Sequence, residues 1–410
     1  MSYRDGYNGG DDGFYTRGFE DEPFDGDMGP PTDEVDDNTP FEEDEDSDPQ
    51  HLDLNHKTKK TKLDRDLFPR AEDLTFDQLQ SVLGELKFLI KLYQDNQKTR
   101  IGTGNRAGSK ERKGETAHLV RFFEDELYTL EKEVAKVIKY YVRNEPTGVA
   151  KWLLAHSGIK EMTAASWMVG VDIHRATTPS HIYRYCGMDP NMKWMSQEQA
   201  KAWMKEQDTD DPWELLARFA QQYQRRFDTL ARQAQYDGQG NKREVTKQVV
   251  AATMVRRPYS VPMKTLAWQT ATWMVRTHNN KEPSEYLPYY YMWKEQEERA
   301  NERLEFADQA QWYLDNVKIR NKANKAYYKQ GKLPPRHIEN RVKRKLVKLF
   351  ISHFHEHYYA LVHGELPARP YVFEHLGHTD EIHPPVMHWK VYKLRKQAGR
   401  AVPDNPYFVE

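Results

Sequence analysis

Residues 153–165 read Leu-Leu-Ala-His-Ser-Gly-Ile-Lys-Glu-Met-Thr-Ala-Ala, and the fold turns on this stretch. An apolar helix end, Leu153-Leu154, runs into Gly158, an apolar residue follows, and a small-residue helix restarts at once. That is the pattern of a helix-hairpin-helix, two short helices meeting at a tight turn. Gly158 can take the positive φ that a reversal of chain direction needs. Ile159 is expected to pin the turn into the apolar gap between the helices. The amides of Gly158, Ile159 and Lys160 then open the second helix, and free N–H groups at a positive helix end make a site for one phosphate. A turn of this type grips a nucleic-acid backbone without reading bases. Such hairpins usually carry a second glycine where this chain has Lys160, which adds a charge but restricts how closely phosphate approaches the backbone. The alternative reading of the same residues is an ordinary helical corner capped by Gly158.

Outward from the hairpin, charge is distributed unevenly. Residues 1–50 hold eighteen acidic and two basic side chains, a net of −16, so the rest of the 410-residue chain carries +14 against the total of −2. A basic body suits a polyanionic partner, because each neutralised phosphate releases counterions. The acidic segment is rich in Gly and Pro and poor in aliphatic residues, so it is expected to be disordered over 1–66. It reads either as a solubilising tail or as a polyanion competing for the basic surface. The single cysteine, Cys186, excludes an internal disulfide and reads as core. With no apolar signal segment and no run of 18 or more apolar residues, the chain is expected to be cytoplasmic, nucleoid-associated if DNA-bound, and without a membrane partner.

The remaining pattern is helical. Leu79, Val82, Leu83, Leu86, Leu89 and Ile90 form an apolar stripe on a helix opening at Thr75. Arg100 to Gly114, rich in Gly, Lys and Arg, reads as a loop. A second helix, from about Ala117 to Val142, presents Leu119, Phe122, Phe123, Leu127, Leu130, Val134 and Val137 on one side. The two are expected to pair as an antiparallel arm over 67–146, a surface through which the protein could form a homo-oligomer. The hairpin core is expected over 147–283, with helices broken at Asp237-Gly238-Gln239-Gly240 and another from Met263 to Val275. Residues 284–410 read as a basic, aromatic helical region whose last strong helix starts at Pro334-Pro335 and whose end, from Gly364, is irregular. No stretch alternates as a strand does. The expected class is mainly α.

The order of arm, hairpin, "VDIHRATTPSHIYRYCGMDP" and "RRPYSVPMKTLAWQTA" resembles the C-terminal domain of transposases of the insertion-sequence 110/116/902 family, the bridge-RNA-guided recombinases. Gly158-Ile159, Asp172-Ile173, Tyr185-Cys186-Gly187-Met188 and Arg256-Arg257 with Lys264 occupy the places of that family's motifs. The resemblance spans residues 147 to 275, and implies DNA recombination or transposition chemistry with DNA, or RNA, as partner. Members begin with a nuclease-like α/β domain bearing four acidic metal ligands, and residues 1–146 supply no such strands. They also use a serine nucleophile after the Tyr-x-Gly motif, and the positional match is Ser196, without the glycine that usually follows it. The preferred reading of Ser196 is the N-cap of a helix beginning Ser196-Gln197-Glu198-Gln199.

Two further constellations concern partners. Arg341, Lys343, Arg344, Lys345 and Lys348 give the last long helix a dense basic side, with Arg336 nearby and Tyr327, Tyr328 and Lys329 just upstream. With Arg256, Arg257 and Lys264 they are the expected phosphate contacts beyond the hairpin. His353 and His357 share a helix face at a spacing that can chelate zinc, with His375, His378 or His383 to complete a site. The preferred reading is a site without metal. The sequence thus predicts a non-catalytic DNA-binding protein. The alternatives are a transposase using Ser196 with a partner-supplied acidic domain, and an interaction protein that binds no nucleic acid.

Overall fold

The computed structural model describes residues 76–189, 195–223, 225–237, 240–317, 319–369, 381–403 and 407–409, with side chains from residue 84 onward except at 407. The acidic segment and the helix start at Thr75 lie outside the described residues. The architecture is mainly α, as the sequence predicts.

Helices α1 (Phe76–Arg112) and α2 (His118–Arg143) pair antiparallel as the arm. Buried Leu86, Ile90, Val134, Ile138 and Tyr141 join its base to the main core. Arg100 donates to Glu131 at 2.6 Å farther out, and Arg121 ties Glu111 (2.7 Å) to Glu124 (2.5 Å) near the tip. The expected loop over Arg100–Gly114 is corrected here, because α1 continues to Arg112. Tertiary contact overrides the poor helix propensity of its glycines. Ala107 is fully buried, and a Cβ on Gly104 would stand 2.5 Å from Glu124, so the small residues admit α2. The predicted apolar side of α2 divides: Val134 is buried in the main core, whereas Leu119, Phe122, Phe123 and Leu130 remain exposed.

Helices α3 (Val149–Leu154) and α4 (Glu161–Gly170) form the hairpin corner. Gly158 has φ +93°, and Ile159 is 2% exposed, wedged into the main core. The turn is packed and not open: a Cβ on Gly158 would lie 3.2 Å from the Trp273 carbonyl and 3.3 Å from the Met274 nitrogen, near the end of helix α10 (Val261–Arg276). Gly158→Ala is therefore expected to cost about 1–3 kcal/mol, through φ strain and a backbone clash. Chemical denaturation checks this, with Gly114→Ala as comparator. Gly114 also has positive φ (+79°) but open space around it, so an equal loss at both sites would contradict the packing account.

Between the hairpin and α10 lie helices α5 (Pro179–Tyr185), α6 (Gln197–Lys205), α7 (Pro212–Gln222), α8 (Phe227–Gln235) and α9 (Lys247–Met254). The last four form their own cluster around Trp203, Leu216, Phe219, Leu230 and Met254. Beyond α10 come α11 (Leu287–Glu302), α12 (Ala307–Asn316), α13 (Lys322–Lys329) and α14 (Pro335–His363). Leu304, with φ +61°, turns the chain between α11 and α12. Helix α14, about 43 Å long at 1.5 Å per residue, is the spine of the fold. Its Phe350 and Phe354 pack against Trp152 and Trp167, and its Tyr358 hydroxyl donates to the Met168 carbonyl at 3.1 Å.

The expected irregular end contains order that the sequence does not announce. Strand β1 (Val386–His388) leads directly into helix α15 (Trp389–Gln397) and pairs in parallel with β2 (Tyr407–Val409), Met387 opposite Phe408. The Trp152 indole donates to the Val386 carbonyl at 2.9 Å, which fixes β1 against α3. The main core draws on residues from both sides of positions 146 and 283. No helix among the described residues is long and apolar enough to cross a membrane.

Candidate nucleic-acid interface

At the hairpin, the first turn of α4 already holds an anion. Glu161 accepts from its own backbone amide and from Arg143, at 3.1 Å from Nε and 2.5 Å from an Nη. Burial alone would raise its carboxyl pKa, but the backbone bond and Arg143 outweigh burial and hold it below the ordinary carboxylate value. The Ser157 hydroxyl donates to the Glu282 carbonyl at 2.7 Å, tying the turn to the segment after α10. Of the three residues expected to cradle phosphate, Ile159 is core, Gly158 packs on α10, and only Lys160 stands exposed. A nucleic-acid phosphate here would compete with the protein's own carboxylate.

The basic side of α14, expected to meet phosphate, lies largely against protein: Arg341 and Lys343 are buried and Arg344, Lys345 and Lys348 half-buried. Arg341 is 8% exposed and donates from Nε to Glu297 at 2.7 Å, and Lys345 meets the other oxygen of the same carboxylate at 2.6 Å. Arg341 also lies 4.4 Å from the Phe306 ring centre. Lys343 is buried with Glu339 at 2.5 Å, and Arg344 is half-buried and partnered. Lys348 is half-buried near the Tyr183 ring, its pKa lowered to about 8 by burial and then by Arg344. These cations hold the fold together.

Arg256 and Arg257 are exposed where α9 gives way to α10, whereas half-buried Lys264 leans on Tyr259, 4.6 Å above its ring. The pair α4 and α10 runs antiparallel, with Gly158 against Trp273 and Gly170 against Met263. The hairpin turn and Lys264 therefore sit at opposite ends of α10, about 14 Å apart by helical rise.

Ser196 caps α6. Its hydroxyl accepts from the Gln199 amide at 3.2 Å while the Gln199 side chain accepts from the Ser196 amide at 2.8 Å, a complete capping box. Among the described residues no acid or histidine approaches this hydroxyl to activate it. The histidines of α14 are likewise engaged. His353 Nε2 donates to the Ile382 carbonyl (2.8 Å), which leaves Nδ1 to accept from the Tyr286 hydroxyl (2.9 Å). His357 Nδ1 donates to the His353 carbonyl (2.9 Å), and its Nε2 accepts from the His388 amide (3.4 Å). As placed, the pair offers no free lone pair to zinc. Burial keeps both rings neutral, lowering His353 to about 3. His375 and His378 lie outside the described residues.

A different surface gathers cations without acids. From Ile319 to Ile338 the described residues include no Asp or Glu, while Arg320, Lys322, Lys325, Lys329 and Arg336 are exposed and Lys332 is half-buried. None of the six forms an ion pair among the described residues. Lys322, Lys325 and Lys329 follow an i, i+3, i+7 spacing and so share one face of α13. They span about 10 Å of helix, the length of about three base pairs of duplex. Tyr327 is exposed on the same helix.

The platform beneath is rigid. Tyr313 of α12 and Tyr328 of α13 stack at 5.1 Å and 8° with His337 edge-on, and Leu333 and Ile338 complete the cluster. Asn301 holds the connection by donating to the Leu333 carbonyl (2.9 Å) and accepting from its amide (2.8 Å). Asn321 caps α13 by accepting from the Ala323 and Asn324 amides. Of these cations the sequence reading singled out only Lys329 and Arg336. The signal for the rest was present, as a run of basic residues with no acid between them. A smaller basic and aromatic face, Trp389, Lys390, Tyr392, Lys393 and Lys396, lies on α15.

No protein-family model matches the chain, and no curated protein or solved structure matches it.

Proposed function

We propose that this protein binds nucleic acid, DNA in the first instance, through the phosphate backbone, in a role related to transposases in recombination or mobile-element transactions. The observation that carries the reading is the cluster of six cations on and around α13, unpaired with any described acid and mounted on a packed aromatic base. Solvated, unpaired cations at phosphate-like spacing gain free energy by releasing the counterions of a polyanion. Lysines already matched to carboxylates gain little. Arg256, Arg257 and Lys160 are secondary contacts in this reading. The resemblance of residues 147–275 to the transposase domain supplies the biological setting. Ser196, committed to capping, gives no support to a strand-transferring enzyme. The experiment is a titration of duplex, single-stranded and junction DNA, and of RNA, at two salt concentrations. Preferential binding of RNA would change the partner, and absence of binding to all four would remove the reading.

A second reading has an observation of its own. Leu119, Phe122, Phe123 and Leu130 are exposed along the outer half of the arm. An apolar stripe of this kind favours a protein contact there, and self-association through the arm is compatible with nucleic-acid binding at α13.

A further inference from the structure

A cavity of about 410 Å³ opens where the segment after α10 enters α11, walled by His278, Pro283, Glu285, Leu287, Pro288 and Tyr291. Leu287 and Tyr291, one turn apart, share the face of α11 that borders it. Its frame is held from behind. The Ser284 amide donates to the Thr277 hydroxyl (2.8 Å) and the Leu287 amide to the Ser284 carbonyl (2.9 Å), while the Ser157 hydroxyl ties Glu282 to the hairpin. No lysine or arginine lines the cavity, and Glu285 is its one carboxylate.

That carboxylate is left uncompensated. Its Oε2 is sealed from solvent and accepts no hydrogen bond, although a buried carboxylate oxygen is normally satisfied. It faces His156, whose Nδ1 stands 3.6 Å away, beyond hydrogen-bond reach. His156 is 1% exposed among the rings of Trp152, Tyr286 and Phe350, and neither of its nitrogens has a partner. Burial outweighs the pull of Glu285 and holds the imidazole below its ordinary pKa, so at neutral pH it is no counter-ion. Among the described residues Glu285 meets no lysine or arginine either. Its place just ahead of α11 favours the ionised form, through the positive end of the helix. The side chain is 32% exposed, so its charge acts within the cavity.

We propose that this cavity seats an aliphatic ammonium group, with Glu285 as its counter-ion and the Tyr291 ring as its second contact. With Oε2 enclosed, the carboxylate offers the cavity one oxygen and not the pair that a guanidinium fork grips, so a point-charge ammonium is the better match. His278, in the tautomer that donates Nδ1–H to the Val275 carbonyl (3.3 Å), keeps Nε2 as an acceptor for a further ammonium proton. Tyr291 is 52% exposed and supplies a ring for cation–π contact. Pro283, Leu287 and Pro288 give the attached alkyl chain an apolar wall, and Pro288 has no amide with which to draw an anion to this end of α11. The carrier of the ammonium is a free polyamine or the lysine of a partner protein, and the seat is the same for both. It is independent of nucleic-acid binding at α13.

The test uses the full chain and a ligand-observed NMR titration with butylammonium, its neutral counterpart butanol, butylguanidinium, spermidine and N-acetyl-lysine amide. Butylammonium is expected to bind saturably with a Kd on the order of millimolar, about tenfold more tightly than butanol and more tightly than the guanidinium. Glu285→Gln, which keeps the shape of the side chain, should abolish the preference over butanol. Tyr291→Ala, at an exposed position, should weaken butylammonium about two- to fivefold. Thermal denaturation reports whether each variant folds; should Glu285→Gln fail to, unchanged binding in Tyr291→Ala overturns the proposal by itself. Tighter binding of spermidine than of the lysine amide supports a free polyamine as the carrier, and the reverse supports a partner's lysine. Absence of saturable binding, equal affinity for butylammonium and butanol, or an ammonium preference that survives Glu285→Gln overturns the proposal. A preference for butylguanidinium overturns the ammonium assignment.

Discussion

Replacing Lys322, Lys325 and Lys329 together with glutamine is expected to weaken duplex DNA binding by 10- to 100-fold or more at low salt and to flatten its salt dependence by about three units of log K against log salt. The reasoning is additive. Each of the three stands on one solvated face of α13, none is paired with a described carboxylate, and each phosphate contact contributes about 0.9 to the slope. Stability should change little, because the face is exposed and the packing beneath it comes from Tyr313, Tyr328, Leu333 and Ile338. Anisotropy titrations over a salt series measure the slope, and thermal denaturation reports the fold. A variant that melts normally and binds DNA with unchanged slope would place the contact elsewhere. Arg256 and Arg257 would then be the next to replace.

The second large effect falls on stability. Glu297 is 4% exposed and receives both Arg341 and Lys345, so Glu297→Ala removes the carboxylate that these two cations share in the α11–α14 packing. Removing one member of a buried ion pair typically costs about 3–5 kcal/mol, most of it the desolvation of the charge left behind. The exposed pair Arg299–Glu295, on the opposite side of α11, provides the control, since solvent screens it and its loss should be barely measurable. Burial acts to raise the Glu297 carboxyl pKa, but Arg341 and then Lys345 outweigh it and hold the group below its ordinary value of 4.5. A carboxylate with a depressed folded pKa contributes stability that is fully present above its unfolded value and is lost as pH falls through the folded one. The wild-type protein should therefore lose stability in the acid range below about 4.5, and Glu297→Ala should lose less there. Equal losses for Glu297→Ala and Glu295→Ala in denaturant midpoint would contradict this account.

That ion cluster also shows where sequence reading stops. Arg341, Lys343, Lys345 and Lys348 look like a solvated basic face because a sequence displays charge but not partners. Glu297 lies 44 positions before Arg341, and only the packing of α11 on α14 brings them together. The same holds for Arg100–Gly114, where local propensity says loop and contact with α2 makes helix. Strands β1 and β2 were illegible for a related reason. Each is three residues long, and their pairing is parallel and non-local. What was legible rested on local geometry: the positive φ of Gly158, the wedge of Ile159, the Ser196 cap, the Pro335 helix start and the antiparallel arm. The hairpin was read correctly as a shape. Its expected phosphate site was not foreseeable as contested, because the competing carboxylate, Glu161, is held there partly by Arg143 from another helix.

The candidate interface was half legible. Lys329, Arg336 and Tyr327 drew notice by their proximity to the basic run in α14, yet that run is internal and the upstream segment is the exposed one. Counting unpaired cations, and not total cations, is what separates the two.

The most direct measurement is the salt dependence of wild-type binding to a short duplex. If the six cations around α13 meet phosphates, log K should fall linearly with log salt at a slope of up to about −5. Affinity independent of salt, or no binding at the lowest salt, would contradict the claim that these side chains exist to hold a polyanion.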